Sequence, residues 1–384
     1  MKIAVVTGRD MTRSGALEHA LKLVRHARSL NWSVLVAIPL DHTPPDYHDD
    51  VLATGAELIN LDVEDYNTEQ RRSVVFRTFR LTAWLRRQSV DAILTASPYT
   101  EWGLPVLGGA ALAGVPVVHV LTLAGIIRIR PRKLKALEWA RSRNQKYVAV
   151  SQFSSRCVAE SFCMPLEEVV TIPNGAPAIV KPDPLAKHAA RKKVSNEHNL
   201  PMDSPWIVSV AGLRSQKGHE LQIMAMKHLL RAKPGIQFLW AGAGDLRHSL
   251  EKMAADYGVA EAIHFLGRRR DVADLLAASD LFLFPSLYEG LPLAVLEAMA
   301  TGLPVVASDC TSLPELIESG KHGLLFRSGN PCELEDNVLW ALNNPNEMVR
   351  MAEAAYDRVQ TQFTEADMTG KTLNLLQSLV AGNK

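Results

Sequence analysis

The stretch 285-PSLYEGLPLAVLEAMATGLPVVAS-308 places two carboxylates, Glu289 and Glu297, eight positions apart. Gly290 and Pro292 follow the first, an apolar helical pattern carries the second, and Gly302-Leu303-Pro304 leads into a buried-type strand. Pro in the first turn and Gly past the last is the usual asymmetry of a helix. Glu289 therefore belongs to the loop before this helix, and Glu297 lies about a turn and a half inside it. A strand, a loop and a helix leading to another strand are the unit of a parallel α/β sheet.

A helix N-terminus offers unpaired N–H groups and a partial positive charge, which suits phosphate. Pro292 has no N–H, so Gly290, Leu291 and Leu293 are the expected donors. Two glutamates would repel a phosphate, but an ionised carboxylate accepts hydrogen bonds well from sugar or ribose hydroxyls. Diphosphate on the helix end and hydroxyls on the acids together describe a nucleotide-sugar. The plainer reading is a capped helix with two solvated acids.

The same organisation extends in both directions. Strands are expected at 2–7, 34–39, 57–61, 91–96, 115–121 and 146–151, separated mostly by helical patterns at 15–30, 70–88, 102–113, 133–143 and 152–162. Residues 169–184 are rich in turn formers, and 185–204 read as the hinge side of a second domain. The alternation then restarts, with strands at 205–212, 236–242, 262–267, 281–286, 303–308 and 323–326. Short apolar strands between helices imply parallel sheets covered on both faces. The expected architecture is α/β: two doubly wound, Rossmann-like domains facing a cleft, with ligands outside the carboxyl ends of the strands. The expected boundaries are 1–178 and 179–363.

Composition agrees with a folded two-domain chain of 384 residues, 47% hydrophobic and 22% charged. A formal net charge of +1 argues against nucleic acid as a general partner. Cys157, Cys163, Cys310 and Cys332 lack metal or disulfide spacing and read as reduced thiols of a cytoplasmic protein. The opening MKIAVVTGRD is a strand entering a turn rather than a signal peptide.

The run YEGLPLAVLEAMATGLPVVAS with the following LPELIESGKHGLLF resembles the signature of GT4-type retaining glycosyltransferases of GT-B fold. Their E-x7-E motif coincides with Glu289 and Glu297, and the resemblance covers about residues 145–345. It implies that Glu289 orients a donor sugar, that Glu297 holds a nucleotide ribose, that the N-terminal domain takes the acceptor, and that the final helix, 364–384, packs back onto that domain. It also implies retention of configuration.

Other segments fit that frame. In 212-GLRSQKGHE-220, Arg214 and Lys217 flank a turn closed by Gly218, and cations there would neutralise a departing diphosphate. By itself the segment reads as a basic loop. It resembles the family's GR-x(n)-KG element, with Gly212 where an Arg is common and Arg214 as the replacement. The GxG at Gly242 and Gly244 lacks a full dinucleotide fingerprint and reads as a close-packed turn. Gly267-Arg268 resembles the position bordering the base, although Arg268, Arg269 and Arg270 equally suit a solvated loop. Gly15, preceded by Ser14, resembles the second glycine of a pair that meets the diphosphate or acceptor; locally it equally suits an N-cap Ser followed by Gly. Thr122 stands where relatives place a cleft His, and His119 lies within the preceding strand, where a lone His is usually packed or at the surface.

No nucleophile–base arrangement with activation spacing and no Asp-x-Asp pair is visible, so no covalent nucleophile, cofactor or metal is expected. The expected partners are a nucleotide-sugar and a sugar, glycan or lipid-linked acceptor. An anionic membrane surface is a further candidate, because 70–88 and 128–135 mix Arg and Lys with apolar residues. The competing functions are a GT-B nucleotide-sugar 2-epimerase and a non-catalytic nucleotide-sugar binder.

Overall fold

The computed structural model describes residues 1–10, 13–62, 71–97, 103–122 and 125–382. The starts of the helical patterns expected from 70 and from 102 lie outside the described residues. The chain divides into two compact units: Met1–Asn174 with Glu365–Lys384, and Gly175–Thr364.

The first unit is built on seven parallel strands: β1 (Lys2–Thr7), β2 (Ser33–Ile38), β3 (Glu57–Asn60), β4 (Ala92–Ser97), β5 (Val117–Leu121), β6 (Gln145–Ala149) and β7 (Val169–Thr171). Their spatial order is β3-β2-β1-β4-β5-β6-β7. The second unit holds β8 (Trp206–Val210), β9 (Gln237–Ala241), β10 (Ile263–Gly267), β11 (Leu281–Phe284), β12 (Val305–Ser308) and β13 (Leu324–Phe326), in the order β10-β9-β8-β11-β12-β13. Both are doubly wound. The order reverses between β1 and β4 and again between β8 and β11, and a crevice opens at such a reversal. The central strands are buried along nearly their whole length, because helices cover both sheet faces.

Helix ends follow local chemistry. Helix Leu293–Ala300 is stopped by Gly302 at φ 68°, with Leu303 N–H on Ala298 O and Gly302 N–H on Met299 O. This is a Schellman ending. Pro292 occupies the cap position, one residue earlier than the first-turn place expected of it.

Three stretches differ from the sequence reading. Helix Pro45–Ala53 occupies a stretch with no expected element, and the turn-rich run after 169 opens with β7. The supposed hinge side at 185–204 is largely helix Pro184–His198. Asp183 caps its first turn through Ala186 N–H, and Asn199 ends it in the left-handed region. Val194 is its buried residue, so the helix has no apolar stripe to be read. Its anchors are distant acids and bases: Lys193 to Asp274 at 2.6 Å, Arg191 to Asp280 at 3.0 Å, and Glu197 to Arg269 at 2.5 Å.

Candidate functional site

The second unit's site forms where the loops leaving β8 and β11 meet. Gly218 closes the first loop at φ 67°; a Cβ there would stand 2.1 Å from Pro285 O. Only glycine lets the loops approach so closely. They are then laced together. Leu287 N–H donates to Gln216 O at 2.8 Å, and Gln216 Nε2 donates to Tyr288 O at 2.7 Å.

This lacing brings Lys217 Nζ to 2.5 Å from Glu289 Oε1. Ser286 Oγ donates to the same carboxylate oxygen at 2.5 Å. The loop after β12 secures the backbone of Glu289: its N–H donates to Thr311 Oγ1 at 2.8 Å, and Ser312 Oγ donates to its carbonyl at 3.2 Å. Thr311 stands at φ 42°, a left-handed conformation that β-branched residues rarely adopt. Ser308 Oγ in turn holds Ser286 O. Glu289 is 6% exposed. Such hydrogen-bond and charge partners replace the water that a buried carboxylate gives up.

The pair of glycines at 242 and 244 is close-packed against backbone. A Cβ on Gly242 would lie 1.9 Å from Ala211 O, and one on Gly244 2.3 Å from Leu213 O. Below the site runs a buried polar chain: Trp240 Nε1 donates to Gln222 Oε1, Gln222 Nε2 to Ser209 Oγ, and Ser209 Oγ to Leu283 O. It ties β8, β9 and β11 together beneath the loops.

Neighbouring groups are poor acids or nucleophiles. Burial pushes the Cys310 thiol up to about 11. Burial, then the charge of Lys217, lowers His219 to about 3, and its ring stands edge-on to Trp240 at 4.7 Å. Both groups are neutral near pH 7.

Lys217 and Glu289 are thus in contact. Gly290 and Leu291 are buried and follow Glu289 directly; Leu293 opens the helix; Glu297 lies in its second turn, partly exposed. Arg214 is exposed, three residues before Lys217. Arg268 is exposed after β10, whereas Arg269 is not the solvated side chain its run of three suggests: it pairs with Glu197 and Asp271. Sequence reading missed Ser286, Gln216, Thr311 and Ser312. The hydroxyl-rich run 308-SDCTS-312 after a strand was the available signal.

The first unit holds the other candidates. Ser14 caps helix Gly15–Ser29, its Oγ accepting Ala16 N–H at 3.2 Å, and its own N–H donates to Asp10 Oδ2 at 2.7 Å. Gly15 is the exposed first residue of that helix. Arg13, at φ 52°, fixes this loop through Glu18 at 2.5 Å, Asp46 at 2.9 Å and Asp50. Asp46 and Asp50, four apart on the unexpected helix, were the signal for it. His119 is buried on β5, with Nδ1 bonded to Thr95 Oγ1 and its ring edge-on to Tyr147. Burial lowers it to about 4. Thr122 donates its N–H to Ser97 O at 2.9 Å just past the strand. Among the described residues, no group of three or more His, Cys, Asp or Glu is placed to hold a metal ion.

Comparison with known proteins agrees with this architecture. The model for glycosyl transferases group 1 matches residues 190–358, and that for glycosyltransferase family 4 matches 13–178. The GDP-mannose-dependent monoacylated alpha-(1-6)-phosphatidylinositol monomannoside mannosyltransferase of Corynebacterium glutamicum is 30% identical over 204 residues, 51% of this chain and 52% of that protein. The UDP-Gal:alpha-D-GlcNAc-diphosphoundecaprenol alpha-1,3-galactosyltransferase of Escherichia coli is 29% identical over 260 residues, 63% of this chain and 64% of that protein. The chain spans about half the length of the curated relatives it matches. Anabaena HepE, solved with UDP and glucose, has the same fold, with a TM-score of 0.81 at 18% identity over 98% of this chain and 100% of that one. With one family model on each half and two Rossmann-like sheets of matching order, the chain belongs to the GT4-type glycosyltransferase family of GT-B fold.

Proposed function

We propose that the protein transfers a sugar from a UDP- or GDP-linked donor to a hydroxyl acceptor in glycan or glycolipid synthesis, with retention of configuration. The observation that carries this reading is the Lys217–Glu289 pair at the reversal of strand order between β8 and β11. A cation and an immobilised acceptor at that point suit, respectively, a diphosphate and a sugar hydroxyl. The relatives named for UDP-Gal and GDP-mannose donors, and for lipid-linked acceptors, support the same class of substrates.

In this mechanism the bond from the anomeric carbon to the phosphate oxygen breaks, and its electron pair stays on the phosphate. Lys217 and Arg214 neutralise that charge, with the N–H groups of Gly290, Leu291 and Leu293 at the helix end. An ammonium has three donors, so its bond to Glu289 leaves capacity for phosphate oxygens. Glu289 orients the sugar, Glu297 the ribose, and Arg268 borders the base. The acceptor oxygen attacks the same face and passes its proton to the leaving phosphate. Gly15, Ser14, His119 and Thr122 belong to the acceptor-side unit; burial suits His119 to shaping that unit rather than to moving protons. Cations supplied by the chain make the reaction independent of added metal.

The test is a thermal-shift screen of UDP- and GDP-sugars, followed by hydrolysis and transfer assays in EDTA. Native-state ligands raise the melting temperature according to affinity and concentration. Glu297→Ala is expected to weaken donor binding mainly, and Lys217→Ala to slow turnover mainly. Wild-type hydrolysis and transfer in both variants would rule out this site.

A further inference from the structure

Lys187 and Arg191 stand one turn apart on helix Pro184–His198, on one face of it. Arg191 is committed to the fold. Its Nε donates to Met202 O at 2.9 Å, Nη1 to Ala278 O at 2.8 Å and to Asp280 at 3.0 Å, and Nη2 to Ser204 O at 2.5 Å. The guanidinium also lies over the Trp206 ring at 4.1 Å. Lys187 is different: it is half-buried, and among the described residues its Nζ makes no hydrogen bond and no ion pair.

Both residues line a cavity of about 620 Å³, within the range of small-molecule sites. Its floor includes Pro205, Leu281 and Pro304, where the chain enters β8, β11 and β12. These strands run parallel, and Lys217 and Glu289 follow the other ends of β8 and β11. The cavity therefore lies across the sheet's strand length from that pair. A further wall is apolar: Leu342, Met348 and Val349 line it where helix Pro331–Asn343 gives way to helix Pro345–Gln362, and Val349 is 52% exposed.

The surrounding charges leave Lys187 short of a counter-ion. Asp280 is engaged by Arg191 and by Trp206 N–H at 2.8 Å. Lys181 is a like charge, itself paired with Glu353 at 3.4 Å, while His188 and Asp203 are exposed at the cavity. Burial, then Lys181, holds the Lys187 ammonium below its ordinary range, with Asp280 opposing. A neutral apolar ligand would take water from this cation and return nothing. A phosphate monoester calls for several charged donors, and only one is uncommitted here.

We propose that this cavity binds a small organic anion, one singly charged group on an apolar chain or ring, with the charge on Lys187 Nζ and the apolar body against Met348 and Val349. Charge complementarity and the apolar wall select that class together, and the site is separate from the Lys217–Glu289 crevice.

The test is fluorescence titration of the full chain with 1-anilinonaphthalene-8-sulfonate, an anion on aromatic rings, followed by competition. The proposal expects one saturable site that octanoate empties, and that octan-1-ol, inorganic phosphate and UDP leave filled. Lys187→Met keeps the stem and removes the charge; it should weaken binding at least about tenfold. Val349→Asp, on the exposed wall, should do the same, whereas Lys187→Arg should bind within about threefold of the parent. Thermal melts of all three variants should match the parent. Absent saturable binding, displacement by UDP, octanol or phosphate as effective as by octanoate, or full binding by the methionine variant would overturn it. So would an arginine variant that binds as weakly as the methionine one.

Discussion

Lys217 and Glu289 are 72 residues apart in the chain, yet Nζ and Oε1 stand 2.5 Å apart. They meet because β8 and β11 are neighbours at the reversal of the sheet, so the loops after them share one crevice. Glu289 is the more buried partner and also accepts from Ser286. The carboxylate is thus oriented before any sugar arrives.

Removing the cation alone leaves a buried carboxylate without its counter-charge. Lys217→Met is expected to destabilise the fold by about 2–3 kcal/mol, at the lower end for buried pairs because Lys217 keeps some solvent contact. Lys217→Met/Glu289→Gln should recover most of that stability in urea melts while turnover stays low by a factor of roughly 10² or more. Strict additivity in stability would show that the pair is not coupled.

Gly218 separates steric need from backbone preference. Gly218→Ala puts a methyl into Pro285 O, whereas Gly258, also left-handed at φ 70°, faces open space. Gly258→Ala should cost about 1 kcal/mol, the penalty of the left-handed region alone. Gly218→Ala should cost at least twice that, roughly 2–4 kcal/mol, and lower turnover by moving Lys217 from Glu289. Equal losses of melting temperature in the two variants would refute the packing argument.

The run Arg268-Arg269-Arg270 divides by role. Arg269 is held by Glu197 and Asp271, which lifts its pKa further above the ordinary value. These bonds fasten helix Pro184–His198. Arg269→Ala is expected to cost about 1–2 kcal/mol in chemical denaturation without changing donor affinity. Arg268→Ala should leave stability within about 0.5 kcal/mol and weaken donor binding. Calorimetric titration of a nucleotide-sugar reads both variants, and an exchanged pattern would reverse the roles.

What the sequence revealed tracks how local each cause is. Apolar runs such as Ala92–Ser97 and Phe282–Phe284 announced strands because both faces are covered, and the Glu289–Glu297 spacing survives as a loop acid and a helix acid. Helix Pro184–His198 was illegible because its anchors, Asp271, Asp274, Asp280 and Arg269, are supplied by distant residues. The same limit hid the hold of Thr311 and Ser312 on Glu289, and the distinction between Arg269 and its neighbours. Lys217 was readable as a cation at a strand end; its contact with Glu289 depends on the strand order, which no local pattern encodes.

Acid stability follows in large part from His19, His119 and His219, the histidines that burial lowers furthest; burial lowers His264 and His322 in the same direction. Burial lowers His19 and His119 to about 4 and His219 to about 3, against 6.5 when exposed. Below pH 6.5 the unfolded chain binds protons that the folded chain refuses, so stability is complete above that pH and declines as pH falls toward 4. Over the full window His19 and His119 each contribute on the order of 3 kcal/mol, and His219 on the order of 5 kcal/mol. The paired carboxylates Glu197 and Asp271, held below their ordinary range mainly by Arg269, are fully ionised in both states at pH 6 and enter only below about 4.5. Melting temperature should therefore already fall between pH 6.5 and 4.5. His119→Gln, which has no proton to gain, should make that slope shallower even if it lowers stability at pH 7. A slope unchanged by the substitution would mean that His119 is not kept neutral by its burial between Thr95 and Tyr147.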